Sequence, residues 1–203
     1  MVEEIISNGG TAIAIQGNVS KIDEVKKLFS VTKDIYGHVD ILVNNAGVFK
    51  FEPLEAITEE EFHRQFNTNV LGTILATQEA AQQFNGNGGS VINVSSVVSD
   101  NPMANSVVYA ATKGAVDTIA VALSKEFSGR RIRVNTIAPG MIETEGTHTA
   151  GFIGSDFEKQ ATTVTPLGRI GQPNDIAKVA VFLASDDAEW VNGEKINVSG
   201  GFR

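Results

Sequence analysis

Tyr109 and Lys113 stand four residues apart, in Y-A-A-T-K, inside a run whose pattern predicts a helix over 107–127. That spacing stacks both side chains on one helix face, a turn apart. An ammonium beside a phenol favours the phenolate and draws the phenol pKa down from about 10, as a general acid or base requires. Taken alone, the pair reads equally as a half-buried tyrosine with a solvated lysine. Ser96 closes the run S-V-I-N-V-S-S, thirteen residues before Tyr109. Its hydroxyl can donate to a carbonyl oxygen held near the phenol, or simply cap the following loop. Asn69 sits in N-T-N-V-L-G, within a helix expected over 58–84. Asparagine competes for the backbone in mid-helix, so it signals a specific polar task, a local kink or a tolerated polar residue.

The elements that must position these residues follow from the apolar pattern. T-A-I-A-I-Q reads as a strand, and Ser20 as the cap of a helix to about Tyr36, with Gly37 as its stop. V-D-I-L-V-N-N, S-V-I-N-V-S-S and R-I-R-V-N-T-I-A are short apolar runs that do not alternate, the mark of strands buried on both faces. Thr58 and Glu61 form a capping-box pattern. Pro173 and Asp175 open a helix through about Ala184, and K-I-N-V-S is a last strand. The stretch from Gly140 to Thr165 is rich in Gly, Thr and Ser, and 143–165 is expected to be a mobile lid. Alternation of strand and helix points to an α/β fold, a doubly wound parallel sheet, read as one domain over 1–203. Ligands of such sheets bind beyond the carboxyl ends of the strands, which here carry N-N-A-G, S-S and P-G.

Composition removes several alternatives. The chain of 203 residues is 42% hydrophobic and 20% charged, as in an ordinary globular protein. A formal net charge of −8 argues against nucleic acid as a partner. There is no cysteine, hence no disulfide and no thiolate nucleophile. No membrane segment is expected, and the location expected is cytoplasmic. Neither G-x-S-x-G nor H-E-x-x-H occurs, which disfavours a serine hydrolase and a zinc site. Of the three histidines, His38 and His63 read as surface residues, and His148 lies in the lid, where it has a chance of touching substrate.

N-N-A-G at 44–47, N-V-L-G at 69–72, Ser96 thirteen before Y-x-x-x-K, and P-G-M-I-E-T at 139–144 appear in order. Together they closely resemble the classical short-chain dehydrogenase/reductase family, along the whole chain. The resemblance implies a Rossmann-type sheet and an NAD(P)(H)-dependent oxidoreductase interconverting a carbonyl and a secondary alcohol. By that resemblance Tyr109 is the acid/base, Lys113 lowers its pKa and binds the nicotinamide ribose, Ser96 polarises the substrate carbonyl, and Asn69 anchors a water leading to Lys113. Asn45, Ala46 and Gly47 would pack on the adenosine side. Pro139 and Gly140 would shape the turn over the nicotinamide, the Ile142 backbone would bind the carboxamide, and Thr144 would reach the carboxamide or pyrophosphate. Asn18, followed by Val19, stands where the family usually has an adenine-binding Asp. An amide keeps a donor and an acceptor but loses the charge.

One family feature has no counterpart. Neither the Gly-rich turn T-G-x-x-x-G-x-G nor G-x-G-x-x-G occurs in the chain. By the family pattern roughly 45–50 residues are missing ahead of residue 1, a βαβ unit with the first two strands. The chain is therefore expected to be an N-terminally truncated form of a longer enzyme, with an apolar edge at V-D-I-L-V-N-N. Assembly as a homotetramer through the two long helices and the C-terminal region is also implied. The substrate class stays open among 3-oxoacyl thioesters, sugars, steroids and small ketones, the pattern looking most like 3-oxoacyl carrier-protein reductases and glucose dehydrogenases. The alternative is an inactive family member serving as an assembly or binding module.

Overall fold

A computed structural model describes residues 1–202. Four short strands form one parallel sheet in the order β1-β2-β3-β4: β1 is Ile41–Asn44, β2 Gly89–Val94, β3 Ile132–Pro139 and β4 Lys195–Val198. The register sets Val43 beside Ile92 and Asn93 beside Thr136. Successive residues of β2 point to opposite faces, so Val91 and Ile92 enter different cores. On one face Val91 and Val134 meet Val25 and Phe29 of α2 (Ile22–Tyr36), Ala76 and Ala80 of α4 (Gly72–Ala81) and Ala120 of α5 (Val107–Glu126). On the other, Ile92 and Ile137 meet Leu183 of α8 (Pro173–Ala184). This two-sided burial explains why the strand runs do not alternate.

Several ends form as their chemistry demands. Gly37 closes α2 at φ +85°, where a Cβ is strained. The Thr58 hydroxyl accepts the Glu61 N–H at 3.1 Å and opens α3 (Glu59–Phe66). The Glu61 carboxylate does not reach back; it accepts from Arg64 and Gln65 instead. Pro173 occupies the first turn of α8, and Asp175 accepts the Gln172 N–H at 2.8 Å.

Other expectations are corrected. T-A-I-A-I-Q forms no strand: a strand needs a neighbour for its N–H and C=O groups, and among the described residues none lies beside it. β1 is the edge strand and is not buried on both faces: Ile41 and Val43 are 47% and 48% exposed, which matches the apolar edge expected at V-D-I-L-V-N-N. Ser20 does not cap α2; its hydroxyl donates to the Asn18 side chain at 2.8 Å, and α2 begins after Lys21. The helix expected over 58–84 is broken into α3 and α4 by a π turn at Asn67–Leu71, so the asparagine signal marks a real distortion. The expected lid holds two helices, α6 (Glu145–Thr149) and α7 (Asp156–Val164). Finally, α5 is long and apolar enough, by length and composition, to cross a membrane. It carries Lys113 and Asp117, however, and lays Val116 and Ala120 inside the molecule. α1 (Val2–Ser7) has no buried residue.

Candidate active site

Beyond β2 the chain leaves the sheet through Ser95 and Ser96 and turns under the N-terminal half of α5. Ser95 is held by the Ile137 carbonyl at its N–H, and its hydroxyl donates to the Lys113 carbonyl at 3.2 Å. The Ser96 hydroxyl oxygen accepts the Val98 N–H at 3.4 Å, and Ser96 lines the same cavity as Tyr109. The capping role expected of Ser96 is thus present, and the same side chain borders the cavity. One turn along α5, the Lys113 ammonium donates to the Val94 carbonyl at 2.8 Å and sits 5.6 Å from the centre of the Tyr109 ring. That distance is within cation–π range.

Asn69, on the π turn, is 1% exposed. Its carbonyl oxygen accepts the Val48 N–H at 2.8 Å, and its amide donates to the Val48 carbonyl at 2.8 Å and to Thr112 at 3.0 Å. The distortion of the helix is what aims this side chain across at both segments. Asn69 therefore ties the loop after β1 to α5. Asn44, at the end of β1, donates to Asn93 and Thr77 and fixes the same loop from its other end. Gly47 lies in that loop: a Cβ there would stand 3.4 Å from the Asn69 oxygen and 3.6 Å from the Lys113 ammonium.

The electrostatics differ from the sequence expectation. Burial pushes the Tyr109 phenol up, to about 12, and only the nearby Ser96 hydroxyl opposes it. Burial also pulls the Lys113 ammonium down, to about 8, against the attraction of Asp117 one turn further on α5. Loss of water is the largest cause for both groups, because each charged form forfeits hydration on burial. Lys113 thus does not pull the phenol pKa below its ordinary value. At neutral pH Tyr109 holds its proton.

Tyr109 and Ser96 open onto a cavity of about 400 Å³. Gly140 and Ile142 line the same cavity. Gly140 follows β3 and presses against Ser199, whose Cα and Cβ would lie 3.0 Å from any added Cβ. Ile142 bridges to Gly171, and Thr144 caps α6, accepting the Thr147 N–H at 3.2 Å. Pro139 and Thr144 flank this stretch and do not line the cavity. Asn45 and Ala46 are exposed beyond β1. Asn18 and Val19 lie elsewhere: Asn18 folds into a local turn with Ser20, and Val19 covers Gly72, where an added Cβ would come within 2.7 Å. His148 does not line the cavity; it pairs with Glu143 at 3.0 Å, half exposed.

Sequence reasoning missed the aromatic side of this cavity. Phe49 and Phe51, in the loop after β1, meet Tyr109 at ring-centre distances of 5.9 and 5.7 Å. Phe152, between α6 and α7, meets both phenylalanines at 6.0 and 5.9 Å, and Phe157 of α7 meets Phe152 at 5.0 Å. The available signal was F-K-F directly after N-N-A-G, and two phenylalanines inside an otherwise small and polar lid.

The chain is similar to known oxidoreductases along its whole length. The family model described as enoyl-(acyl carrier protein) reductase matches residues 1–203. An uncharacterized oxidoreductase of Methylorubrum extorquens is 52% identical, over 100% of this chain and 82% of the relative. Elsinochrome reductase 1 of Elsinoe fawcettii is 37% identical over 98% of this chain and 78% of the relative. Versicolorin reductase stcU of Emericella nidulans is 35% identical over 99% and 80%. Among solved structures, a blue fluorescent protein from a metagenomic library, in complex with NADPH, superposes with a TM-score of 0.92 at 32% identity, covering 99% of this chain and 80% of that one.

Proposed function

The chain belongs to the short-chain dehydrogenase/reductase family of oxidoreductases, and from that premise we propose that it reduces a carbonyl to a secondary alcohol with NAD(P)H, Tyr109 acting as the acid. The observation that carries the reading is the meeting of Ser96 and the protonated Tyr109 phenol at one cavity, with Lys113 a turn behind. Ser96 donates a hydrogen bond to the substrate oxygen and orients it. Tyr109 delivers its hydroxyl proton to that oxygen as charge develops there. Lys113 sits behind the ring and steadies the phenolate left by that transfer, an attraction strengthened by the dry surroundings. Asn69 holds the loop that walls the site. A bound NAD(P)H supplies the hydride to the carbonyl carbon, which completes the alcohol.

The residues fit such a nucleotide at its nicotinamide end. Gly140 lets the backbone pass close to the residue after β4, and Gly47, on the side expected to meet the adenosine, is bare beside Asn69 and Lys113. Lys113 would hold the ribose, and the Ile142 backbone with Thr144 the carboxamide. The 203 residues include no Gly-rich turn, so no group here is assigned to the pyrophosphate.

The test is Tyr109→Phe, followed by loss of reduced-nicotinamide absorbance and by calorimetric titration of NADPH and NADH. Turnover is expected to fall at least a thousandfold, while nucleotide affinity changes less than threefold. Retained turnover would remove Tyr109 from the acid role.

A further inference from the structure

The cavity wall carries a second message about substrate, which rests on the carbonyl-reductase reading. We infer that the substrate is an uncharged, planar, fused-ring aromatic ketone. Four rings, Phe49, Phe51, Phe152 and Tyr109, pack around one another at centre-to-centre distances of 5.7 to 6.0 Å, and Phe157 extends the wall. These rings come from three separate stretches, 49–51, 109 and 152–157, so the wall is assembled by the fold at the site. It is not a by-product of one apolar segment. The rings remain only half buried, which leaves ring surface free to meet a ligand.

Charge points the same way. Among the described residues lining the cavity there is no Lys, Arg, His, Asp or Glu. The polar lining side chains beyond Ser96 and Tyr109, such as Asn101, Thr147 and Gln160, are neutral. Lys50 lies between the two wall phenylalanines in sequence, but it is already paired with Glu52 at 2.6 Å. A phosphate, a carboxylate or a phosphopantetheine arm would leave its charge without a partner here, and burying an unpaired charge is costly. A sugar would bring several hydroxyls against phenyl rings that cannot hydrogen-bond them. A flat aromatic ligand gains from offset and edge contacts with the rings, beyond the area it buries. The volume, about 400 Å³, is in the range of pockets for small organic ligands, and the substrate shares it with the nicotinamide end beside Gly140 and Ile142. The carbonyl would point at Ser96 and Tyr109, the one place where donors meet the aromatic wall.

The test compares 1-tetralone with 1-decalone, which shares the ten-carbon skeleton and the carbonyl but is saturated and puckered. Binding to the full chain is measured by calorimetry, with and without NADPH, alongside glucose and acetoacetate. 1-Tetralone is expected to bind at least tenfold more tightly than 1-decalone, and glucose and acetoacetate not measurably. Phe51→Leu and Phe152→Leu, checked for unchanged circular dichroism, should each reduce the tetralone-to-decalone ratio at least threefold. Equal affinity for the two ketones, or measurable binding of glucose or acetoacetate in the same range, would overturn the assignment. The wild-type comparison needs no variant to fold. Tight tetralone binding without any NADPH oxidation would leave the ligand class standing and count against the reductase reading. Turnover of 1-decalone at the rate of 1-tetralone, with equal binding, would do the reverse.

Discussion

Replacing Asn69 by alanine removes three hydrogen bonds at once, two to the Val48 backbone and one to Thr112. Each such bond contributes about 1 kcal/mol net, and an orphaned buried partner costs more than the bond was worth. Thr112 is fully buried and keeps its donation to the Tyr109 carbonyl, whereas Val48 is half buried and regains some water. The expected loss is therefore about 2–4 kcal/mol. Asn69→Asp is the sharper probe. It keeps the acceptor for the Val48 N–H but sets a carboxylate oxygen against the Val48 carbonyl and buries a charge, so it should be at least as damaging as alanine. Urea unfolding followed by circular dichroism measures both, with the slope checked for constancy. Because Asn69 holds the loop bearing Gly47, Phe49 and Phe51, the double change Asn69→Ala with Thr112→Val should cost less than the sum of the two singles. A loss under about 1 kcal/mol for Asn69→Ala, or an aspartate variant as stable as the parent, would refute the idea that this side chain ties the loop to α5.

Three further expectations can be checked directly. The folded Lys113 value of about 8 lies below the ordinary 10.5, so the unfolded chain binds more protons between those two values and stability rises with pH across that window. The gap of 10.5 − 8 = 2.5 corresponds to a rise on the order of 3 kcal/mol, lost progressively as pH falls from 10.5 to 8; Lys113→Met should flatten the difference between pH 7.5 and pH 10 in denaturant unfolding, and an unchanged profile would show that the ammonium is not desolvated. Gly47→Ala meets only ordinary contacts at 3.4 and 3.6 Å, so stability should shift by less than about 1 kcal/mol, while NADPH titration should weaken roughly tenfold if this bare backbone faces the nucleotide. On the proposal that copies assemble through the C-terminal region, Val181 and Trp190, 69% and 97% exposed, belong to the contact; Val181→Glu should then lower the mass seen by light scattering, and an unchanged mass would place the contact elsewhere.

The amino-acid sequence by itself determined the parts that depend on near neighbours. V-D-I-L-V-N-N, S-V-I-N-V-S-S and R-I-R-V-N-T-I-A carry their burial on both faces in composition, and two of the three deliver it. The Thr58, Gly37 and Pro173 signals each act within one turn; Gly37 and Pro173 are found where they are read, and Thr58 caps α3 without the return contact from Glu61 that completes a capping box. The four-residue spacing of Tyr109 and Lys113 sets a shared helix face before any tertiary contact exists. Asn69 was legible as an anomaly, although the π turn that explains it needs partners twenty or more residues away in Val48 and Thr112.

Only the tertiary structure decided the rest, because the deciding quantities are not local. T-A-I-A-I-Q has strand composition, yet a ladder exists only where a neighbour supplies the other half of each hydrogen bond. The Tyr109 and Lys113 pKa values turn on how much water the fold leaves around them, and spacing along a helix does not encode that. The aromatic wall joins Phe49 to Phe152 across about a hundred residues, a convergence visible only once β1, α5 and the lid are folded against one another.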